Sequence, residues 1–235
     1  ARLVLKYAQT LIAQGRNRVL EEWIARLPGE MVDNAPWLLY WSGQGSLASA
    51  PVEGIDYLKK GFNLFREQGD ATGVFLTWSA IIHSITHFTM NLKELDQWIG
   101  LLDELMETFG APPSGEINAG VTNNMFMALV YRQPQNPLID LWAERVHTLL
   151  QGCKDLVVKI PALVNLAYYS ARLGDFEEAE AIIDSFQKYS KDRDAMPQLV
   201  LLMKWIESTY LSLTGAHEKC LKVVSDAIHL ADSTG

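Results

Sequence analysis

Several features that would assign this chain to a biochemical class are missing from its sequence. The longest apolar run, around Leu199 to Met203, is far too short to span a bilayer. No run of lysine or arginine occurs, and the net charge of −8 repels phosphate groups. We therefore expect no membrane association and no direct nucleic-acid binding by this chain.

Motifs for catalysis and cofactor binding are also missing. The dipeptide Gly-Lys does not occur, which excludes a Walker loop, and there is no GxSxG nucleophile elbow. His83 and His87 share one face of a predicted helix, but no glutamate follows His83 and no third metal ligand lies nearby. We predict that the chain is not an enzyme and has no catalytic residue, no cofactor and no metal site.

A glycine-containing run from Gly43 to Ala48 formally fits the dinucleotide-binding fingerprint with alanine in the last position. That fingerprint needs a strand before it and a helix after it, whereas this run lies inside a helical pattern. We interpret its small residues as a place where two helices pack closely together.

Cysteine is rare in this chain. Cys153 and Cys220 are far apart and outside any CxxC pattern. Each sits in a helical pattern where a small apolar residue would serve, so we predict two buried free thiols. Free thiols favour a cytoplasmic location.

What the sequence does contain is helical periodicity along almost its whole length. Apolar residues recur at steps of three or four, which places them on one face of a helix. One such set is Leu92, Leu95, Trp98, Ile99, Leu102, Leu105 and Phe109. Strand patterns are almost absent. The sequence therefore predicts an all-α protein.

The helices are separated by turns, and the clearest turn is the run from Gly174 to Ala179. Its glycine makes a tight turn, its acidic residues suit the first turn of the next helix, and its alanine lets two helices approach. This unit resembles the helix-turn-helix of tetratricopeptide repeats. The resemblance implies a solenoid of stacked helix pairs.

Similar turns are predicted at positions 15, 49, 90, 136, 174 and 215, which are 34, 41, 46, 38 and 41 residues apart. Strict tetratricopeptide repeats keep a period of 34, so these units are longer and less regular. We predict an α–α superhelix of about six antiparallel helix pairs, forming one domain over residues 1–235. The run from Gly110 to Gly115 is either a long turn between repeats or a hinge that divides the array.

A second resemblance is carried by three segments. Leu20 to Pro28 reads LEEWIARLP, Ala35 to Gly43 reads APWLLYWSG, and Phe62 to Asp70 reads FNLFREQGD. Together they resemble the helical repeat region of MalT-like bacterial regulators, which are large signal-transduction ATPases, often with a LuxR-type or transcriptional-activator DNA-binding domain.

The resemblance covers essentially the whole chain, whereas the family's nucleotide-binding and DNA-binding segments have no counterpart. It implies that the chain is the sensor or docking arm, which receives an inducer or a partner and controls assembly. Because the chain begins at Ala1 and ends just after a helical segment, we expect it to be a fragment of a longer helical array.

The first helices of such pairs line a concave groove. The repeat register places aromatic, amide, hydroxyl and cationic side chains there, a mixture that suits stacking on a sugar or holding a peptide. The candidate ligand or partner residues are His87, Asn123, Phe126, Tyr168, Arg172 and Trp205. The same register also directs Leu39, Gly43, Thr77, Ser84 and Thr209 toward the groove. Ordinary packing between repeats remains the alternative for each residue.

These observations leave three functions open. The first is a non-catalytic sensor or interaction arm of a bacterial multidomain transcriptional regulator, with a small inducer or a protein in its groove. The second is a free-standing tetratricopeptide-type scaffold that binds only proteins. The third is an all-helical enzyme, which would require a polar cluster with perturbed pKa values.

Overall fold

The computed structural model describes residues 1–89, 91–190 and 196–234. Helices contain most of these residues and no strand occurs among them, which confirms the predicted all-α class. The chain divides into two compact units, Ala1–Pro137 and Leu138–Gly235.

The first unit begins with four helices, and each of the first three packs on the fourth, α4 (Pro36–Ser46). Helix α4 is followed by two long helices and a π-helical turn, Ile85–Thr89, that continues the second of them, α6 (Ala71–Ser84). A 3₁₀ turn, Leu92–Glu94, leads into the last pair. The helices are α1 (Arg2–Ala13), α2 (Asn17–Ala25), α3 (Gly29–Asp33), α4 (Pro36–Ser46), α5 (Pro51–Gln68), α6 (Ala71–Ser84), α7 (Leu95–Phe109) and α8 (Gly115–Arg132).

Local chemistry explains where these helices begin and end. Pro36 and Pro51 occupy first-turn positions, where their missing N–H costs no hydrogen bond. Helix α5 ends at Gly69, whose φ of 70° is left-handed. The next residue, Asp70, caps α6 by accepting a hydrogen bond from the backbone N–H of Gly73 at 3.0 Å.

Helices α4 and α5 pack closely against each other. A Cβ atom on Gly43 would lie 2.6 Å from Cγ of Leu58 and 2.8 Å from the carbonyl oxygen of Gly54. A Cβ atom on Gly54 would in turn lie 3.0 Å from the carbonyl oxygen of Gly43. The glycine-containing run therefore begins inside a helix and permits close helix packing, as the sequence predicts.

Helices α6 to α8 complete the core of the first unit. Trp78 of α6 is fully buried, and its indole N–H donates to the carbonyl oxygen of Trp98 in α7 at 2.9 Å. At the surface, the guanidinium of Arg132 in α8 makes two contacts of 2.6 and 2.9 Å to one carboxylate oxygen of Asp96 in α7. These bonds lower the pKa of Asp96.

The second unit has its own hydrophobic core. The core packs α10 against the helices that follow it and consists of Ile160, Val164, Ala167, Phe186, Met203 and Ile206. The helices of this unit are α9 (Ile139–Leu150), α10 (Leu156–Leu173), α11 (Phe176–Ser185), α12 (Gln187–Ser190), α13 (Pro197–Leu213) and α14 (His217–Thr234).

Five of the six predicted turn positions lie between helices. Gly15, Gly174 and Gly215 have positive φ angles of 69°, 84° and 77° there, and positions 49 and 136 lie in the breaks after α4 and α8. The sixth, Met90, lies outside the described residues. The superhelix of about six pairs and the single domain stay predictions. The segment from Gly110 to Gly115 lies inside the first unit, and a hinge there also stays a prediction.

The two cysteines match the prediction only in part. Cys153 and Cys220 are free thiols as predicted, but both are partly exposed rather than buried, and Cys153 lies in the loop after α9 instead of a helix.

The lengths and compositions of the helices bear on membrane insertion. Within the described ranges, every helix is too short or too polar to cross a membrane.

The contact between α4 and α5 generates the first prediction. Replacing Gly43 by alanine should lower the free energy of unfolding by about 1–3 kcal/mol, because the new methyl group meets backbone and Leu58. The matched control is Gly100→Ala on the exposed face of α7, where an added Cβ meets nothing within 4 Å. There we expect a gain of about 0.5–1 kcal/mol. Urea denaturation measures the free energy of unfolding of both variants. A Gly43→Ala protein as stable as the control would contradict the close contact between α4 and α5.

Candidate functional site

A cleft of about 520 Å³ lies in the first unit. Helices α1, α4 and α6 and the beginning of α8 form its walls. Its volume lies within the range of small-molecule sites in proteins. The lining residues are Gln9, Ile12, Ala13, Trp37, Tyr40, Trp41, Gln44, Leu76, Ser114, Glu116 and Ile117.

Three aromatic rings from α4 line this cleft, and neighbouring rings are nearly perpendicular. The centroids of Trp37 and Tyr40 lie 5.9 Å apart at an interplanar angle of 79°. Those of Tyr40 and Trp41 lie 4.9 Å apart at 71°. The Trp37 ring also contacts that of Phe65 in α5, with centroids 4.9 Å apart and an interplanar angle of 72°. The three rings therefore form a continuous aromatic surface. We call this cleft, with all its lining residues, the aromatic cleft.

Helix periodicity explains why these rings share one surface. Residues 37, 40, 41 and 44 lie on one face of α4, and all four line the cleft. The adjacent face carries Leu39 and Gly43 against α5, and the remaining face places Leu38 in the core with α1 and α2. Packing on two sides thus leaves the aromatic face of α4 open to the cleft.

The electrostatics of the aromatic cleft are simple. Glu116, an exposed residue in the first turn of α8, is the one charged side chain among the described lining residues. Burial of the Tyr40 ring, and next the Glu116 carboxylate, raise the pKa of Tyr40 to about 12. The phenol is therefore neutral at physiological pH and available as a hydrogen-bond donor.

In the second unit, the structure brings together three of the six predicted groove residues. Tyr168 and Arg172 lie one turn apart on α10, and the guanidinium donates to the phenol oxygen at 3.1 Å. The Tyr168 ring lies 5.7 Å from that of Trp205 on α13, which is 41% exposed. This cluster is a partly exposed aromatic patch with one cation, and its role in binding a ligand or partner stays a prediction.

The predicted residue His87 lies in the π-helical turn at the end of α6. Its ring stacks on that of His83, with centroids 4.3 Å apart and an interplanar angle of 25°. Its Nδ1–H donates to the carbonyl oxygen of His83 at 3.0 Å. Across the described ranges, no group of three or more histidine, cysteine, aspartate or glutamate side chains is placed to hold a metal ion.

The other groove predictions divide by burial. Asn123 lies partly buried on α8, whereas Phe126 is fully buried in the core of the first unit. Leu39, Gly43, Thr77 and Ser84 are also buried. The buried members of this set offer no surface to a ligand in this structure.

The aromatic cleft is absent from the sites that the sequence predicts. Trp37, Tyr40 and Trp41 are visible there as part of the segment APWLLYWSG, but only as carriers of a family resemblance. The available signal is three aromatic residues at helical spacing directly after a helix-starting proline. Which face of that helix stays open depends on α6 and α8, which are distant in sequence.

Comparison of the sequence with models of known protein families gave no match, and comparison with curated proteins gave none either. The function must therefore be inferred from the geometry of the chain itself.

The histidine pair generates a prediction about pH. Desolvation is the main cause that lowers the pKa of both rings, and the His87 imidazole lowers that of His83 further. A histidine whose folded pKa is below its unfolded value of about 6.5 adds stability above that pH, and the contribution is lost as the pH falls through it. Both rings keep exposed surface, so we expect a modest effect.

The measurement is the free energy of unfolding between about pH 7 and pH 5. It should fall more steeply for the wild-type chain than for the double variant His83→Gln, His87→Gln. Parallel curves for the wild type and the double variant would show that the pair is not desolvated.

Proposed function

We propose that this chain is a non-catalytic binding module, the sensor or interaction arm of a bacterial multidomain transcriptional regulator. The aromatic cleft carries the proposal, because it combines a suitable volume, three rings and a few polar groups in one place. We place the module in the cytoplasm as part of the same proposal.

The position of the cleft within the sequence supports this function. All three rings belong to the segment APWLLYWSG, which is one of the segments that resemble MalT-like regulators. A segment that carries the family resemblance therefore supplies the aromatic surface of the cleft.

The walls of the cleft indicate how binding could be transmitted. They come from four helices that are separated by up to about a hundred residues in sequence, so a ligand would contact all four at once. Any ligand that binds only this arrangement stabilises it by mass action. Ligand binding would therefore favour one arrangement of the first unit, which is what a sensor arm must report to the rest of a regulator.

One observation favours the alternative of a protein-binding scaffold. An apolar stripe runs along an exposed face of α14, with residues at steps of three and four. Its members are Leu221, Val224 and Ile228, which are 71%, 39% and 56% exposed. Exposed apolar surface of this kind is typical of protein contacts.

A ligand screen separates these functions. We expect sugars, nucleotides and small metabolites screened by thermal shift to include one that stabilises the chain, by about 2.7 kcal/mol at a hundred times its Kd. Trp41→Ala should abolish that shift if the ligand lies in the aromatic cleft. The matched variant Trp205→Ala alters the aromatic patch of the second unit and should leave the shift unchanged.

The reverse pattern, loss with Trp205→Ala and retention with Trp41→Ala, would move the ligand to the second unit and contradict the proposed site. No shift with any compound would favour the scaffold. The next measurement would then compare partner capture by the wild type with capture by Leu221→Glu, Ile228→Glu, with Lys222→Glu as the control on the same helix.

A further inference from the structure

We propose that the aromatic cleft binds a small organic cation with a quaternary ammonium head group, held among Trp37, Tyr40 and Trp41 and beside Glu116. This inference rests on the proposed function, because it names the ligand class of the same site. The observations that carry it are the arrangement of the rings and the charge of the lining.

The rings have the arrangement that recognises alkylated ammonium groups. The face of an aromatic ring carries partial negative charge, and a cation within about 6 Å of its centroid is attracted to it. Neighbouring rings in this cleft are tilted by 71° to 79° with centroids 4.9 to 5.9 Å apart, so they form corners and not a flat stack. A corner of this kind offers more than one ring to a single cationic group.

The charge of the lining selects a cation over an anion. Glu116 is the one acidic side chain of the described lining, which includes no lysine, arginine or histidine. The beginning of α8 would by itself attract an anion with about half a positive charge. The charge of the Glu116 carboxylate is larger than this half charge. One of the free backbone N–H groups there, that of Ile117, already donates to the Ser114 hydroxyl at 3.2 Å. The net charge at this end of the cleft is therefore negative.

The apolar part of the lining favours a quaternary over a primary ammonium group. Ile12, Ala13, Leu76 and Ile117 line the cleft beside the rings. A primary ammonium group has three N–H donors that each need an acceptor, whereas a quaternary group presents only methyl groups. Methyl groups pack against apolar side chains without an unsatisfied donor, and the positive charge still reaches the rings.

The size of the cleft indicates that the ligand is more than the head group. A volume of about 520 Å³ is several times that of a trimethylammonium group, and the side-chain amides of Gln9 and Gln44 line the same cleft. These amides donate and accept hydrogen bonds, so they suit a hydroxyl or carbonyl group on a tail. The ligand class is a choline-like molecule, with an ammonium head and a polar tail.

The test compares choline with its neutral isostere dimethylbutanol, in which carbon replaces the charged nitrogen. Both molecules have the same shape, so the difference between their affinities measures the contribution of the charge. We expect saturation-transfer NMR and titration calorimetry to show choline binding about tenfold or more tighter than the isostere. Equal affinity of the two compounds would overturn the proposal, as would the absence of choline binding.

Two variants locate the binding. Trp41→Leu should weaken choline binding about tenfold by removing a ring, and Glu116→Gln should weaken it about fivefold by removing the charge while keeping the shape. Glu107→Gln, an exposed carboxylate of α7 outside the cleft, is the matched control and should bind choline like the wild type. Because Glu116 is exposed, its variant stays informative even if Trp41→Leu does not fold. Unchanged binding by Glu116→Gln would overturn the proposal.

A trimethylammonium group could also come from a lipid head group, so the test includes vesicles of phosphatidylcholine. We expect free choline to bind without co-sedimentation of the chain with vesicles, since the walls of the cleft enclose a small molecule. Co-sedimentation without binding of free choline would overturn the proposal. If another compound binds in a manner that Trp41→Ala abolishes while choline does not bind, this inference fails and the proposed function stands.

Discussion

The first unit depends on the close approach of α4 and α5. At Gly43 and Gly54 the two helices approach until a single added Cβ would lie within 3.0 Å of the opposite backbone. Such a contact fixes the rotation of α4 about its own axis, because only the face with these small residues can lie there. The rotation in turn decides that Trp37, Tyr40 and Trp41 point into a cleft. One face of α4 therefore packs on α5, and another lines the cleft.

The chemistry of the cleft follows from the same packing. The three rings are half-buried and Trp37 packs on Phe65, so the rings would lose little freedom if a ligand bound. The single carboxylate of Glu116 stands on another helix, at the edge of the cleft where water reaches it. An exposed charge costs little to maintain and still sets the sign of the field. The arrangement separates the apolar aromatic surface from the one charged side chain of the described lining.

The sequence predicted the parts of this structure that local chemistry determines. Helix class, the turn at Gly174 and the packing role of Gly43 depend on residues near one another in the chain, and all three are confirmed. The cleft could not be predicted in the same way, because its walls come from helices distant in sequence. The repeat register directed Leu39 and Gly43 toward a groove, although both pack on α5. An error of about one residue in register rotates a helix face by about 100°.

The π-helical turn at Ile85–Thr89 changes the direction in which side chains point at the end of α6. A π turn takes in one more residue than an α turn, so it behaves as a one-residue insertion at the end of α6. Residues within it are out of step with the pattern of α6, and Phe88 is accordingly 41% exposed at the end of a mostly buried helix. Deleting one residue here would restore a plain α-helix and turn the last side chains of the segment by about 100° about the helix axis. The length of this segment, more than the identity of its side chains, sets which of them reach solvent.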